Sequence, residues 1–228
     1  MAAPMTRHDV TALEDAAAVR AAAVHLYQAT PLPFRLLQGW RPYICPFEEL
    51  VRRVPPGSDV LDVGCGGGLF LALLAQSGRL RRGLGFDVSQ AAIETARAVA
   101  DRNFPDGVIE FRGFRIGDPW PEGTYDVVCM IDVLHHIDGP AQREAIHEAL
   151  DHVRPGGCFL YKDMASRPAW RAGWNRLHDL VLARQWIQYR GLRDVREWVV
   201  DRGFAVEEEA RYTRGPYAHE MLVATRAA

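Results

Sequence analysis

The stretch Val60-Leu61-Asp62-Val63-Gly64-Cys65-Gly66-Gly67-Gly68 constrains this 228-residue chain more than any other. An apolar, β-branched run breaks into a turn crowded with glycine, and a second apolar run, Leu69 to Leu74, follows at once. Short apolar runs bounded by glycine read as buried strands, and longer apolar-rich runs as helices. The stretch therefore predicts a strand, a tight turn and a helix start, followed by a second strand that ends in the carboxylate Asp87. Glycine lets backbone come close to a ligand, and a helix N-terminus presents its positive end there. A nucleotide-like ligand needs all of these parts.

Along the rest of the chain, apolar runs alternate with helical patterns, the signature of βαβ units and a parallel sheet. Strands are expected near 59–63, 82–87, 108–112, 126–132 and 157–163, with two more near 204–212 and 218–226. Helices are expected near 68–77, 89–102, 140–153, 168–189 and 192–202. An alanine-rich helix over 9–30 should end at the Pro31 and Pro33 pair, and a short helix should run from Phe47 to Val54. Residues 1–56 form an N-terminal cover in this reading, and 57–228 the ligand-binding domain.

The glycine spacing decides which nucleotide fits. A dinucleotide fingerprint places a third glycine where helix and strand pack beside a pyrophosphate. Here Leu69 holds that place after Gly64 and Gly66, and Leu71 holds it in the frame of Gly66 and Gly68. An ordinary tight βα turn explains the glycines but not Asp87, 25 residues after Asp62.

At this point the chain resembles the class I S-adenosylmethionine-dependent methyltransferases. Val60 to Gly68 is similar to their first motif, and Gly85-Phe86-Asp87-Val88-Ser89 to their second-strand acid. Asp126 to His136, reading Asp-Val-Val-Cys-Met-Ile-Asp-Val-Leu-His-His, resembles their fourth strand, and Arg154-Pro155-Gly156-Gly157 the loop before the fifth. The resemblance covers roughly residues 40 to 225. It implies a Rossmann-like, doubly wound α/β sheet of about seven strands, mostly parallel with an antiparallel terminal strand. N-terminal helices and a lid helix at about 168–189 would complete it.

The same resemblance implies S-adenosyl-L-methionine as cofactor. Asp62 would hold the ammonium of its methionine part, the backbone of Gly64, Cys65 and Gly66 would line the same region, and Asp87 would accept from the ribose. Val88 would pack on the adenine. Members of the family often carry an aspartate after the third strand for the adenine amino group. Here Phe114 or Arg115 stands at that place, so Phe114 would stack on adenine, with Asp118 as a displaced acid.

Methyl transfer is an in-line displacement, so alignment supplies much of the acceleration, roughly 7–11 kcal/mol. A general base adds about 10²–10⁴-fold when the acceptor must lose a proton. Candidates follow the fourth strand, where Asp132 also reaches toward the cofactor's methionine end. Only one of His135 and His136 is expected to face a pocket, and His136 is the candidate taken. Lys162 is the single lysine among 27 basic residues. It ends the fifth strand beside Asp163, placed either for a substrate anion or for a plain ion pair. In the lid helix, Trp170, Trp174, Leu177 and Val181 share one face, with Asn175 and His178 on another. His219 precedes the last strand. One of His136, His178 and His219 is expected to accept the proton or orient the substrate, beside Lys162.

Composition trims the alternatives. A net charge of −2 gives no general pull toward nucleic acid. The fourth strand ends in Ile131-Asp132-Val133-Leu134 rather than the Asn/Asp-Pro-Pro-Tyr of base-methylating relatives. Four dispersed cysteines, Cys45, Cys65, Cys129 and Cys158, show no metal spacing and read as reduced thiols, so no metal is expected. No apolar run reaches transmembrane length and no signal pattern opens the chain, which favours the cytoplasm. The expected activity is methyl transfer to oxygen, nitrogen or carbon of a small metabolite. The alternatives are a non-methylating reaction such as cyclisation or elimination, and a noncatalytic cofactor-binding scaffold. The acceptor and the oligomeric state stay open.

Overall fold

The computed structural model describes residues 13–115, 118–165, 189–215 and 217–228. The expected lid helix, with Asn175 and His178, lies outside the described residues save for Tyr189. The described elements in chain order are α1 (Ala16–Leu26), α2 (Leu32–Ile44), α3 (Phe47–Arg53), β1 (Ser58–Val63), α4 (Leu69–Gln76), β2 (Leu80–Asp87), α5 (Gln90–Asn103) and β3 (Ile109–Gly113). They continue with β4 (Tyr125–Ile131), α6 (Gln142–Asp151), β5 (Val153–Met164), α7 (Leu192–Asp201), β6 (Phe204–Arg214) and β7 (Tyr217–Arg226). Seven strands form one sheet in the order β3-β2-β1-β4-β5-β7-β6. The strands pair parallel from β1 to β3 and between β4 and β5, and antiparallel where β7 meets β5 and β6. This is the expected Rossmann-like sheet with its antiparallel end.

The chain divides into two compact units, Met1–Asp118 and Pro119–Ala228. In the first, every residue of β1 is buried, as a strand covered on both faces must be. Its one charged residue near the start, Asp59, is met by Arg81 and Arg82 at 2.9 and 3.1 Å. Helix α4 buries all six residues from Leu69 to Leu74, which marks a helix apolar all round. Each buried leucine there contributes roughly 1.5–3 kcal/mol. Its entry needs glycine, because Gly68 has φ 80° and a Cβ there would lie 2.5 Å from Phe111 of β3.

The N-terminal segment corrects the sequence reading at one point. Helix α1 ends at Leu26, before either proline, and Pro31 and Pro33 instead open α2, with Pro33 in the first turn. A first-turn proline removes an N–H that has no intrahelical partner in any case. Helix α2 even carries Pro42 near its end, so residues that look like breakers sit inside a 13-residue helix.

In the second unit, β7 buries Ala218 to Leu222 between β5 and β6. β6 alternates buried or half-buried with exposed residues along the sheet edge. Its exposed positions carry charges such as Glu207, Glu209 and Arg211, as edge strands commonly do.

Candidate functional site

The first unit builds its part of the site from backbone. Gly64, Gly66 and Gly68 all have positive φ, and the turn they form is tied to the end of β2. The N–H groups of Gly64 and Cys65 both donate to the Phe86 carbonyl, at 2.9 and 3.1 Å. The N–H of Gly66 donates to Asp87 Oδ2 at 2.8 Å, and that of Ser89 to Asp87 Oδ1 at 2.8 Å. Asp87 therefore locks two turns together. An ionised carboxylate oxygen accepts more than one hydrogen bond, so each oxygen keeps capacity for a ribose hydroxyl. The turn offers a ligand close backbone approach, since three of its N–H groups are spent on β2.

Around this turn stand groups from the N-terminal helices. Tyr27, which caps the C-terminus of α1, is fully buried, and its hydroxyl donates to the Gly67 carbonyl. Gln38 of α2 is 2% exposed and lies so close that a Cβ on Gly67 would meet its Nε2 at 2.7 Å. Its Oε1 is buried with no hydrogen-bond partner. Arg41 comes next, with Nη1 3.7 Å from a Cβ built on Gly66. Asp62 is 2% exposed near the end of β1. Burial pushes the Tyr27 phenol far above its ordinary value, opposed by the charge of Arg41 and reinforced by Cys65 and Asp62. Burial, then the carboxylates of Asp62 and Asp87, holds the Cys65 thiol protonated. Cys65 therefore lines the turn as an inert apolar group, not a nucleophile.

Val88 is exposed just past Asp87. Phe114, after β3, is half-buried against Phe86 with ring centroids 5.1 Å apart. Asp118 is exposed, and its carboxylate accepts the Arg115 N–H at 2.8 Å. It caps its own loop.

This donor set fits S-adenosylmethionine. Asp87 stands beside bare glycine backbone and could accept from ribose hydroxyls, and the buried Asp62 and Gln38 Oε1 could accept from an ammonium. Tyr27 and Gln38 escaped the sequence reading because nothing in a helix sequence tells which residue will lie over a turn 29 or more positions later.

The second unit gathers side chains at the ends of β4, β5 and β7. Lys162 is fully buried, and its ammonium bridges both oxygens of Asp132 at 2.6 and 2.7 Å. Asp132 is the one described non-glycine residue with positive φ, 55°. A left-handed backbone of this kind costs roughly 1–2 kcal/mol. It is held by the ion pair and by the Asp132 N–H, which donates to the Lys162 carbonyl at 2.8 Å.

The two histidines differ in burial, and the buried one is His135. It is 3% exposed, with Nδ1 bonded to the Asp163 carboxylate and its own backbone N–H donating to Asp163 Oδ2 at 3.2 Å. The Met164 N–H adds a further 2.7 Å bond to Asp163. Tyr161, also buried, hydrogen-bonds the same carboxylate and stays neutral, its phenol raised first by burial and then by Asp163. The ring of His135 packs against His136 and Tyr189, at centroid distances of 4.1 and 5.8 Å. His136 is exposed. His219, 1% exposed, is paired in register with Met164 on one side and Tyr212 on the other. It shares a sheet face with Lys162, whose register partner is Met221. Among the described residues no cluster of histidine, cysteine and carboxylate could hold a metal, and no helix is long and apolar enough to cross a membrane.

Known proteins place this arrangement. A family model described as a methyltransferase domain matches residues 38–209. Ribosomal protein L11 methyltransferase of Burkholderia lata is 33% identical over 122 residues, 54% of this chain and 37% of that protein. Its counterpart from Burkholderia mallei is 31% identical over 151 residues, 64% of this chain and 47% of that protein. The chain thus spans less than half the length of these curated relatives. Magnesium protoporphyrin IX methyltransferase from Synechocystis PCC 6803, solved with bound SAH, shares the fold at a TM-score of 0.68 and 20% identity, over 91% of this chain and 94% of that one. The cyclase SpnF shares it at 0.64 and 16%, over 84% and 83%. The matched region runs from α2 into β6 and contains both the glycine turn and the Asp132–Lys162 pair, so the chain belongs to the methyltransferase-domain family, among the class I S-adenosylmethionine-dependent methyltransferases.

Proposed function

We propose that the chain transfers a methyl group from S-adenosylmethionine to an oxygen, nitrogen or carbon atom of a small-molecule metabolite. The observation that carries the chemical half of this reading is the His135–Asp163 pair. With Nδ1 against a carboxylate, the neutral imidazole holds its proton on Nδ1 and its lone pair on Nε2. That is the tautomer a general base needs, and the carboxylate stabilises the imidazolium that forms. The sulfonium supplies an electrophilic methyl and a leaving group that takes the C–S electron pair. His135 takes the proton from the acceptor atom as that atom's lone pair moves into the new bond.

In this reading Asp62 and Asp87 hold the cofactor's ammonium and ribose, Gly64, Cys65 and Gly66 shape its bed, and Val88 and Phe114 flank its adenine. Lys162 fixes Asp132 in its left-handed conformation at the end of β4. His136, His178 and His219 are assayed beside His135 as alternative proton acceptors or substrate orienters. Chains of this fold with named small-molecule chemistry, such as the magnesium protoporphyrin IX enzyme, support a metabolite acceptor.

Two other readings have specific support. The relatives named for ribosomal protein L11 favour a protein acceptor, although the chain covers less than half of them. The cyclase SpnF favours a non-methylating reaction. One experiment separates the three. The protein is incubated with methyl-labelled S-adenosylmethionine and a cell extract divided into small-molecule and protein fractions. Label in the small-molecule fraction supports the proposal, and label confined to protein overturns it in favour of the second reading. Substrate turnover with the cofactor unconsumed favours the third.

A further inference from the structure

Helix α2 packs inside out. Its buried residues are Gln38, Gly39 and Pro42, while its large apolar side chains Leu32, Leu36, Leu37, Trp40 and Tyr43 stand exposed. At about 100° per residue, those five fall on one arc of about 140°. A surface helix of a globular protein ordinarily turns such a stripe to the core. Among the described residues, the other exposed large apolar groups are Val24, Val88 and Val200. Val24 belongs to the same surface, because its Cγ2 would lie 3.1 Å from a Cβ on Gly39, where α1 packs on α2. Single exposed apolar residues need no explanation, but a contiguous group of them marks a binding surface.

The charge around this surface points to one kind of partner. From Ala16 to Phe47 the chain has no acidic residue, and it carries Arg20, Arg35 and Arg41. By helical position Arg41 borders one edge of the apolar arc and Arg35 the other. From α1, the exposed Arg20 sets its Cζ 5.6 Å from the Tyr43 ring centroid, which brings a third cation to the rim. Trp40 and Tyr43 lie side by side, with ring centroids 5.5 Å apart. Such rings, apolar in the body and polar at the tip, suit the headgroup level of a bilayer, and arginine suits its anionic phosphates. A second copy docking through the same face would set arginine against arginine, with no carboxylate in the segment to pair them.

We propose that the exposed face of α2, with Arg20 and Val24 of α1, docks the protein on an anionic lipid surface. The helix lies in the plane of the interface and does not cross it. Its leucines and Trp40 enter the boundary of the acyl chains, and the arginines stay with the headgroup phosphates. This places the protein's work at a membrane surface, whichever atom receives the methyl group.

The test is flotation of the full chain with vesicles of phosphatidylcholine alone and of phosphatidylcholine mixed with phosphatidylglycerol. The wild type should bind the mixed vesicles at least tenfold more tightly than the neutral ones, and high salt should abolish that preference. Leu36→Ser combined with Trp40→Ser, at positions 63% and 59% exposed, should weaken binding to the mixed vesicles at least tenfold with the circular dichroism unchanged. Arg20→Glu, outside α2, should weaken it at least fivefold and leave binding to neutral vesicles within about twofold. A wild type that floats with neither vesicle, or with both equally, would overturn the proposal. So would variants that float as the wild type does. Absent flotation together with a dimer that the Leu36→Ser and Trp40→Ser pair dissociates would assign the face to a second copy instead.

Discussion

The glycine turn and the strand-end cluster solve the same problem, holding charged groups out of water, in different ways. In the first unit Asp87 is satisfied by backbone N–H groups of the two turns it joins. In the second, Asp132 is held by the Lys162 ammonium from 30 residues away, and Asp163 by the His135 ring together with the backbone N–H groups of His135 and Met164. A backbone-built site is fixed by local conformation and tolerates most changes that respect the turn. A side-chain-built site is a set of mutual dependencies, where the loss of one partner strands another. The contrast predicts where the molecule will be brittle.

The largest effect should come from Lys162→Met, which leaves Asp132 in a strained conformation without its counterion. Removing one member of a buried pair costs about 3–5 kcal/mol, and urea denaturation should show a loss of that size. A loss below about 1 kcal/mol would mean that the pair is screened by solvent and that the contrast between the regions is wrong.

His135→Gln should lower kcat by about 10²–10⁴-fold on whichever acceptor the label identifies. It should also remove the acid-side fall in rate, because the wild-type base is lost when it is protonated. His136→Gln, at the exposed neighbour, should leave both kcat and the pH profile unchanged to within about threefold. Equal effects of the two substitutions would take the proton-acceptor role away from His135.

Gly68→Ala probes the backbone-built side. It combines a left-handed conformation, about 1–2 kcal/mol, with overlap against Phe111, for a total of about 3 kcal/mol. Gly156, φ 73° with open space around it, should cost only about 1 kcal/mol on the same change. Matching losses at the two sites would show that the turn can give way.

The smallest effect is one of pH. Burial raises the Glu220 carboxyl above 4.5, against the Leu192 N–H and Arg211 that hold its charged form. Folding therefore favours the protonated acid. Its contribution is complete below the unfolded value and is lost as pH rises through the raised folded value. Relative to wild type, Glu220→Gln should gain in Tm as pH goes from 4 to 7. A gap that shrinks over that interval would reverse the assigned direction.

The same contrast explains what could be read from the chain alone. Strand β1, the turn, α4 and Asp87 were legible because local spacing and hydrophobicity dictate them, and each strand fell within a few residues of its place. Helix α2 was not, because Pro33 and Pro42 signal a break while the first turn and the packing tolerate them. Which of His135 and His136 would be buried was not either, since the contact with Asp163 decides it. For the same reason Gln38 carries no sequence mark; what singles it out is the turn it covers.

The central claim, that the first unit holds S-adenosylmethionine through the glycine turn and Asp87, meets its most direct test in calorimetry of wild type and Asp87→Ala with S-adenosylhomocysteine. The account predicts saturable binding by the wild type and at least tenfold weaker binding by the variant, about 1.4 kcal/mol or more. Undiminished affinity in Asp87→Ala, with the fold intact by circular dichroism, would contradict it.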